Sequence, residues 1–200
     1  NWIFGDTLNQ ADSQAGNGYI APNDYYKGPY PFSEKEIIAI RDLALDKKFI
    51  TSIAYHSSRS GNLAEQVFYS WDWGNDKKSP DFNIIEDLAQ NVASRIEKEQ
   101  GNGNYYNIFS SSSRNGKAHD WFYAKAETIQ LLIEVGTENI QPDNVDLIED
   151  TIARNFHGFF YLINRSRGES DDNNYYVSGR ILDESNAPIE NAIVTIKELD

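Results

Sequence analysis

Two ionisable side chains stand at the ends of apolar, β-branched stretches. His56 closes the run Phe49-Ile-Thr-Ser-Ile-Ala-Tyr-His56, and Glu134 lies near the end of Thr128-Ile-Gln-Leu-Leu-Ile-Glu-Val-Gly136. The length of these runs, their β-branched residues and the closing Gly136 predict buried strands over 49–56 and 128–136. Alternation along the second strand sends Ile129, Leu131, Ile133 and Val135 one way, and Thr128, Gln130, Leu132 and Glu134 the other. Glu134 is thus an ionisable group delivered by a core strand at its carboxyl end, where ligands and chemistry sit in open α/β sheets. Two buried strands ending in a histidine and a glutamate read as the start of an active site.

The elements that must position these groups alternate between helix and strand. Residues 1–31 are rich in Asn, Asp, Gly, Tyr and Pro and predict irregular chain packed by aromatics. A helix is expected from Ser33 to about Lys48, with Ser33 as cap, Glu36 completing a capping box and Phe32 stapled to Ile37. Its buried stripe would be Ile37, Ile40, Leu43 and Ala44. Residues 57–78 read as a long loop holding the aromatic run 68–73, a suitable place for substrate contacts. A second helix, about 81–100, carries Ile84, Leu88, Val92 and Ile96 and stops at Gly101-Asn-Gly103. The polar stretch 104–118, with Ser110 to Ser113 in a row, predicts a mobile loop or lid. A third helix starts at Pro142, with Val145, Ile148, Ile152, Phe156, Phe159 and Ile163 toward the core and His157 as a structural histidine. After a polar linker at 168–175, strands at 176–182 and 192–196 flank a turn at 183–188. The chain therefore divides into an α/β domain over 1–167 and the beginning of an all-β domain over 176–200. The α/β part is expected to have a mixed, largely parallel sheet flanked by helices.

Composition excludes several classes. With 200 residues and 40% hydrophobic content the chain can bury a real core. A net charge of −13, with 18 Lys and Arg scattered along the chain, leaves no basic stripe for a nucleic acid. Mean hydropathy is −0.61, and no run approaches the roughly 20 apolar residues of a membrane span. The absence of cysteine excludes disulfides and a thiolate metal site. The absence of methionine and of any signal-peptide pattern suggests an internal fragment or a processed chain.

Ordered pieces of residues 1–165 resemble the zinc carboxypeptidases of the pancreatic type. Asn1-Trp2 is similar to the end of that family's Asn-Arg-Asn-Trp segment. Tyr26-Lys-Gly-Pro-Tyr-Pro-Phe-Ser-Glu34 resembles its Tyr-x-Gly-x-x-Pro-Phe-Ser-Glu signature. Ile53-Ala-Tyr-His56-Ser57 resembles the strand with the third zinc ligand, and Asp120-Trp121 followed by Glu134 resembles the catalytic-glutamate region. The resemblance implies a zinc carboxypeptidase-like sheet, a Zn2+ cofactor held in part by His56, and Glu134 as general base and acid. It also implies substrate contacts from Ser57, His119 and Asp120, with His119 lining the pocket for the terminal side chain. The implied partners are peptide or protein C-termini, with a secreted or cell-envelope location.

The departures are specific. The family's His-x-x-Glu pair, source of the other two zinc ligands, does not occur; the histidines are His56, His119 and His157. It and the substrate-binding arginines would belong before residue 1, so these 200 residues alone are expected to be inactive. The loop after His56 is longer than usual, and the family's substrate-binding tyrosine falls where Phe109 or Tyr106 stands. Residues 177–194 resemble the start of a carboxypeptidase regulatory-like β-sandwich. Two rival readings remain: a peptidase-like binding module without metal, and a cell-wall peptidase of the same fold acting on γ-glutamyl or diamino-acid bonds.

Overall fold

The computed structural model describes residues 30–57, 65–73, 77–99, 101, 103, 107–112, 117–137, 144–169 and 180–192. The chain falls into two compact units, residues 1–169 and 170–200. In the first, the helices are α1 (Lys35–Lys47), α2 (Phe82–Ala93), α3 (Ala118–Ala126) and α4 (Val145–Ser166). The strands are β1 (Thr51–Ser57), β2 (Gln66–Trp73), β3 (Lys77–Lys78), β4 (Asn107–Ser112) and β5 (Ile129–Val135). Among the described residues the sheet runs β1-β5-β2-β3, with β4 also paired to β2. It is mixed. The longer ladders, β1 with β5 and β2 with β4, are parallel, whereas β2 runs antiparallel to both β5 and β3.

Strand alternation divides the core in two. Leu131 and Ile133 of β5 and Val67 and Tyr69 of β2 are buried with Ile85, Val92 and Ile96 around α2, and with Leu162 of α4. Residues of the other parity meet α3. Ser70 Oγ donates to the His119 carbonyl at 3.1 Å, and the Lys117 ammonium lies 5.6 Å from the Phe68 ring centroid. Trp121, Phe122 and Ala126 of α3 form a second cluster with Ala44 of α1, flanked by Phe32 and Ile37. The entry to β5 is fixed by Thr128, whose hydroxyl donates to the Phe49 carbonyl at 2.6 Å. One rung further along, Ile129 N–H donates to the Ile50 carbonyl.

Several expectations are corrected. The aromatic run at 68–73 is part of β2, not a loop. Val67, Phe68, Tyr69 and Ser70 are all buried, so the strand has no polar face to give it a period of two. The polar stretch at 104–118 contains β4, which is held as a strand by its parallel ladder to β2. The stretch after it is α3. At the start of α1, Glu34 is the N-cap and accepts no capping bond; the Ser33 hydroxyl instead donates to the Glu34 carboxylate at 2.8 Å. Only Ala44 of α1 is buried, while Ile40 and Leu43 are exposed. On α2 the helix ends at Ala93, and Ile85 rather than Ile84 is buried. On α4, Asn144 is the cap, its side chain accepting from Leu147 N–H, and Pro142 lies outside the described residues. His157 is exposed on α4.

The inward face of α4 is also not the one its large residues suggest. Asn155, Gly158 and Leu162 are buried, while Val145, Ile148, Ile152, Phe156 and Ile163 are exposed. Gly158 explains the orientation, because α4 crosses α2 where no side chain fits. A Cβ there would stand 2.8 Å from Ile96 Cδ1 and Cγ1 and 3.1 Å from Val92 Cγ1. Alanine would gain about 1 kcal/mol of helix propensity, but overpacking a filled interior costs about 1–3 kcal/mol. Gly158→Ala is therefore expected to lower the urea midpoint slightly, and Gly158→Leu to lower it strongly. A raised midpoint in both would show that the helices are not in close contact here.

In the second unit, Asp183 Oδ1 accepts from the N–H groups of Ser185 and Ala187 and from the Ser185 hydroxyl. Leu182 pairs antiparallel with Pro188 across this turn. The strands expected at 176–182 and 192–196 lie mostly outside the described residues.

Candidate active site

The register of β1 and β5 makes His56 and Glu134 direct partners. Neighbouring strands lie about 4.8 Å apart and paired residues project from the same face, so the imidazole and the carboxylate stand side by side. The pairing continues across the sheet. Gln66 is the partner of Glu134 in the antiparallel β2–β5 ladder, and Asn107 is the partner of Gln66. One row thus carries His56, Glu134, Gln66 and Asn107. It crosses the carboxyl ends of β1 and β5 and the amino ends of β2 and β4. His56 is exposed, while Glu134 is half-buried with its Oε2 shielded from solvent. That combination leaves the imidazole open to a ligand and keeps one carboxylate oxygen in a fixed environment.

Beneath the row lies His119, 2% exposed on α3. Neither ring nitrogen has a hydrogen-bond partner among the described residues, and Nε2 is 3.7 Å from Asp120 Oδ1. Burial lowers the His119 pKa to about 3, helped by the nearby charges of Lys117 and His56. His119 is therefore neutral at physiological pH, and His56 lies within its electrostatic reach. Burial raises the Asp120 pKa to about 7, partly opposed by the Lys117 ammonium.

The expected site residues are thus placed as follows. His56 and Glu134 are brought together, and buried His119 sits below them beside half-buried Asp120. Ser57 follows His56, its backbone paired with Val135. Phe109 lies in β4 opposite Phe68, and Tyr106 is outside the described residues. Gln66 and Lys117 join the site without having been singled out in the sequence. The signal for Gln66 was its position two residues before the buried Phe68 on the same strand face, legible only once 66–73 is read as a strand. An apolar cavity of about 360 Å3, lined by Tyr55, Val135, Ile152, Phe156 and Phe159 among others, lies toward α4. By alternation that is the opposite face from His56.

Catalytic zinc takes three protein ligands. Among the described residues no group of three His, Asp or Glu side chains is assembled to hold a metal. An exposed imidazole beside a carboxylate fits one ligand and one proton acceptor of such a centre, and no more. Among the described residues no helix is long and apolar enough to cross a membrane.

No curated protein matches the chain. A family model described as zinc carboxypeptidase matches residues 1–160. With four-fifths of its length covered by that model, and its α/β architecture consistent with it, the chain belongs to the zinc carboxypeptidase family.

Proposed function

We propose that the chain carries the third zinc ligand, His56, and the catalytic carboxylate, Glu134, of a metallocarboxypeptidase that removes the last residue from peptides or proteins. The observation that carries this reading is the direct pairing of His56 with Glu134 across β1 and β5. Zinc, when bound, supplies Lewis acidity that draws the pKa of a water toward about 7 and polarises a carbonyl. Glu134 accepts the proton of the attacking water and then delivers it to the leaving amine. His56 holds its ring open at the strand end, and the remaining two ligands come from outside these 200 residues. Ser57 and Asp120 flank the substrate's terminal residue, while His119, almost wholly buried, supports that wall without touching substrate.

The peptidase unit spans 1–167 and is followed by a linker at 168–175. The start of a β-sandwich occupies 176–200, an arrangement suited to a secreted or cell-envelope enzyme. The test is release of free amino acids from varied peptides by the parent polypeptide that supplies the His-x-x-Glu ligands. Stepwise release from the C-terminus, stopped by a chelator and restored by zinc, is the expected result. Release of nothing, or release unaffected by chelation, would overturn the reading.

A further inference from the structure

A closed ring of bonds ties the end of β5 to the start of β2, and it contains Glu134. Two residues past Glu134, Gly136 turns the chain at φ +73°. The next residue, Thr137, donates both its N–H and its hydroxyl to the Glu99 carboxylate, at 3.0 and 2.9 Å. The backbone N–H of Glu99 in turn donates to Glu65 Oε1 at 2.5 Å. Glu65 precedes Gln66, and Gln66 pairs with Glu134 across the ladder. The ring therefore runs from Glu134 through Thr137, Glu99, Glu65 and Gln66 back to Glu134.

The ring is built against resistance. Glu65 is buried and holds φ at +54°, a region that residues other than glycine rarely occupy. Its carboxylate is balanced by Arg154 of α4, with Nη1 3.6 Å away. The guanidinium is fixed by the Glu97 carbonyl, the Asp150 carboxylate and the Thr151 hydroxyl. A buried charge held in a disfavoured backbone conformation survives only where its surroundings determine it several times over. Here those surroundings converge on the two ends of the segments that meet at the catalytic rung, Thr137 three residues beyond Glu134 and Glu65 directly before Gln66.

We infer that Glu99 and Glu65 are positioning residues, setting the height and tilt of the Glu134 carboxylate on the sheet. This rests on the role of Glu134 proposed above. Displacing a reacting group by about 1 Å can cost about 100-fold in rate. Glu99→Ala in the zinc-loaded parent polypeptide is therefore expected to lower kcat by about 10- to 100-fold with KM changed less than about 3-fold. Glu99→Gln retains an oxygen that accepts from the Thr137 N–H and is expected to recover most of that loss. Zinc content and the urea midpoint of both variants are measured alongside, with kcat expressed per folded, metal-bearing molecule. A Glu99→Ala enzyme with wild-type kcat and a lowered midpoint would make the ring merely structural and overturn the inference. So would equal losses in the Ala and Gln variants. An inactive wild-type parent would instead refute the role of Glu134, so the two failures can be told apart.

Discussion

Replacing Glu134 with glutamine is expected to leave zinc bound and to lower peptide hydrolysis by about 100- to 10,000-fold. The amide keeps the size of the carboxylate and its place between His56 and Gln66, so the strand register is preserved. What it loses is the ability to take a proton from water and return it to the departing amine. A group needed for proton transfer and not for binding changes kcat while KM stays near its wild-type value. The check is steady-state hydrolysis of a C-terminally blocked and an unblocked peptide pair, with zinc content measured on the same samples. A variant with wild-type turnover would remove Glu134 from the chemistry. A variant that loses its zinc would make Glu134 a ligand rather than a base.

The second large effect concerns stability and comes from buried His119 and half-buried Asp120 below the site. Asp120 has an ordinary carboxyl pKa of 3.8 when unfolded and about 7 when folded, because burial disfavours its charge. Between those values the folded state binds more protons, so this group makes the protein less stable as pH rises from about 4 to about 7. His119 acts the other way. Its pKa is 6.5 unfolded and about 3 folded, again from burial first. The unfolded state therefore binds the extra proton, and stability rises with pH from about 3 to about 6.5. The two slopes oppose one another across most of their range, so together these two groups contribute little pH dependence between pH 4.5 and 6.5. Asp120→Asn removes only the falling contribution. The variant is expected to gain on wild type as pH rises, by up to about 4 kcal/mol at pH 7. His119→Gln should show the mirror image, a stability that falls with pH because Asp120 is left uncompensated. Urea unfolding at pH 4.5 and 7 measures both. Parallel curves for wild type and Asp120→Asn would mean that Asp120 titrates as an exposed carboxyl.

How much of this was legible in the sequence depends on what each element packs against. β1 and β5 are plain because they are continuous apolar, β-branched runs with a glycine or polar stop, and the expected ends lie within about two residues of the observed ones. β2 was hidden because both its faces are covered, which erases alternation. β4 was hidden because a run of serine and asparagine becomes a strand only by pairing with β2. α3 is nine residues long and its apolar side chains follow no clean period, so nothing local announced it. α4 is legible as a helix, but its apolar periodicity points to the wrong face. Its large apolar residues dominate any reading of periodicity, whereas its close approach to α2 selects Gly158. At the site, the strand ends point to His56 and Glu134 and the resemblance implies their roles, but their pairing is a property of register, which no local pattern reports. Gln66 could not be found before its strand was known. The ring joins Glu99 to Glu65, 34 residues away, and to Thr137, 38 residues away, and both glutamates are of a type ordinarily found at the surface.

The central claim is that His56 holds a metal beside Glu134, and bound zinc per polypeptide tests it most directly. Zinc content of the parent polypeptide, measured by atomic absorption after dialysis, is expected to be about one per chain in the wild type. It should fall to a small fraction in His56→Ala, since losing one of three protein ligands removes much of the affinity. A wild type that holds no zinc, or a His56→Ala variant that keeps it fully, would contradict the account.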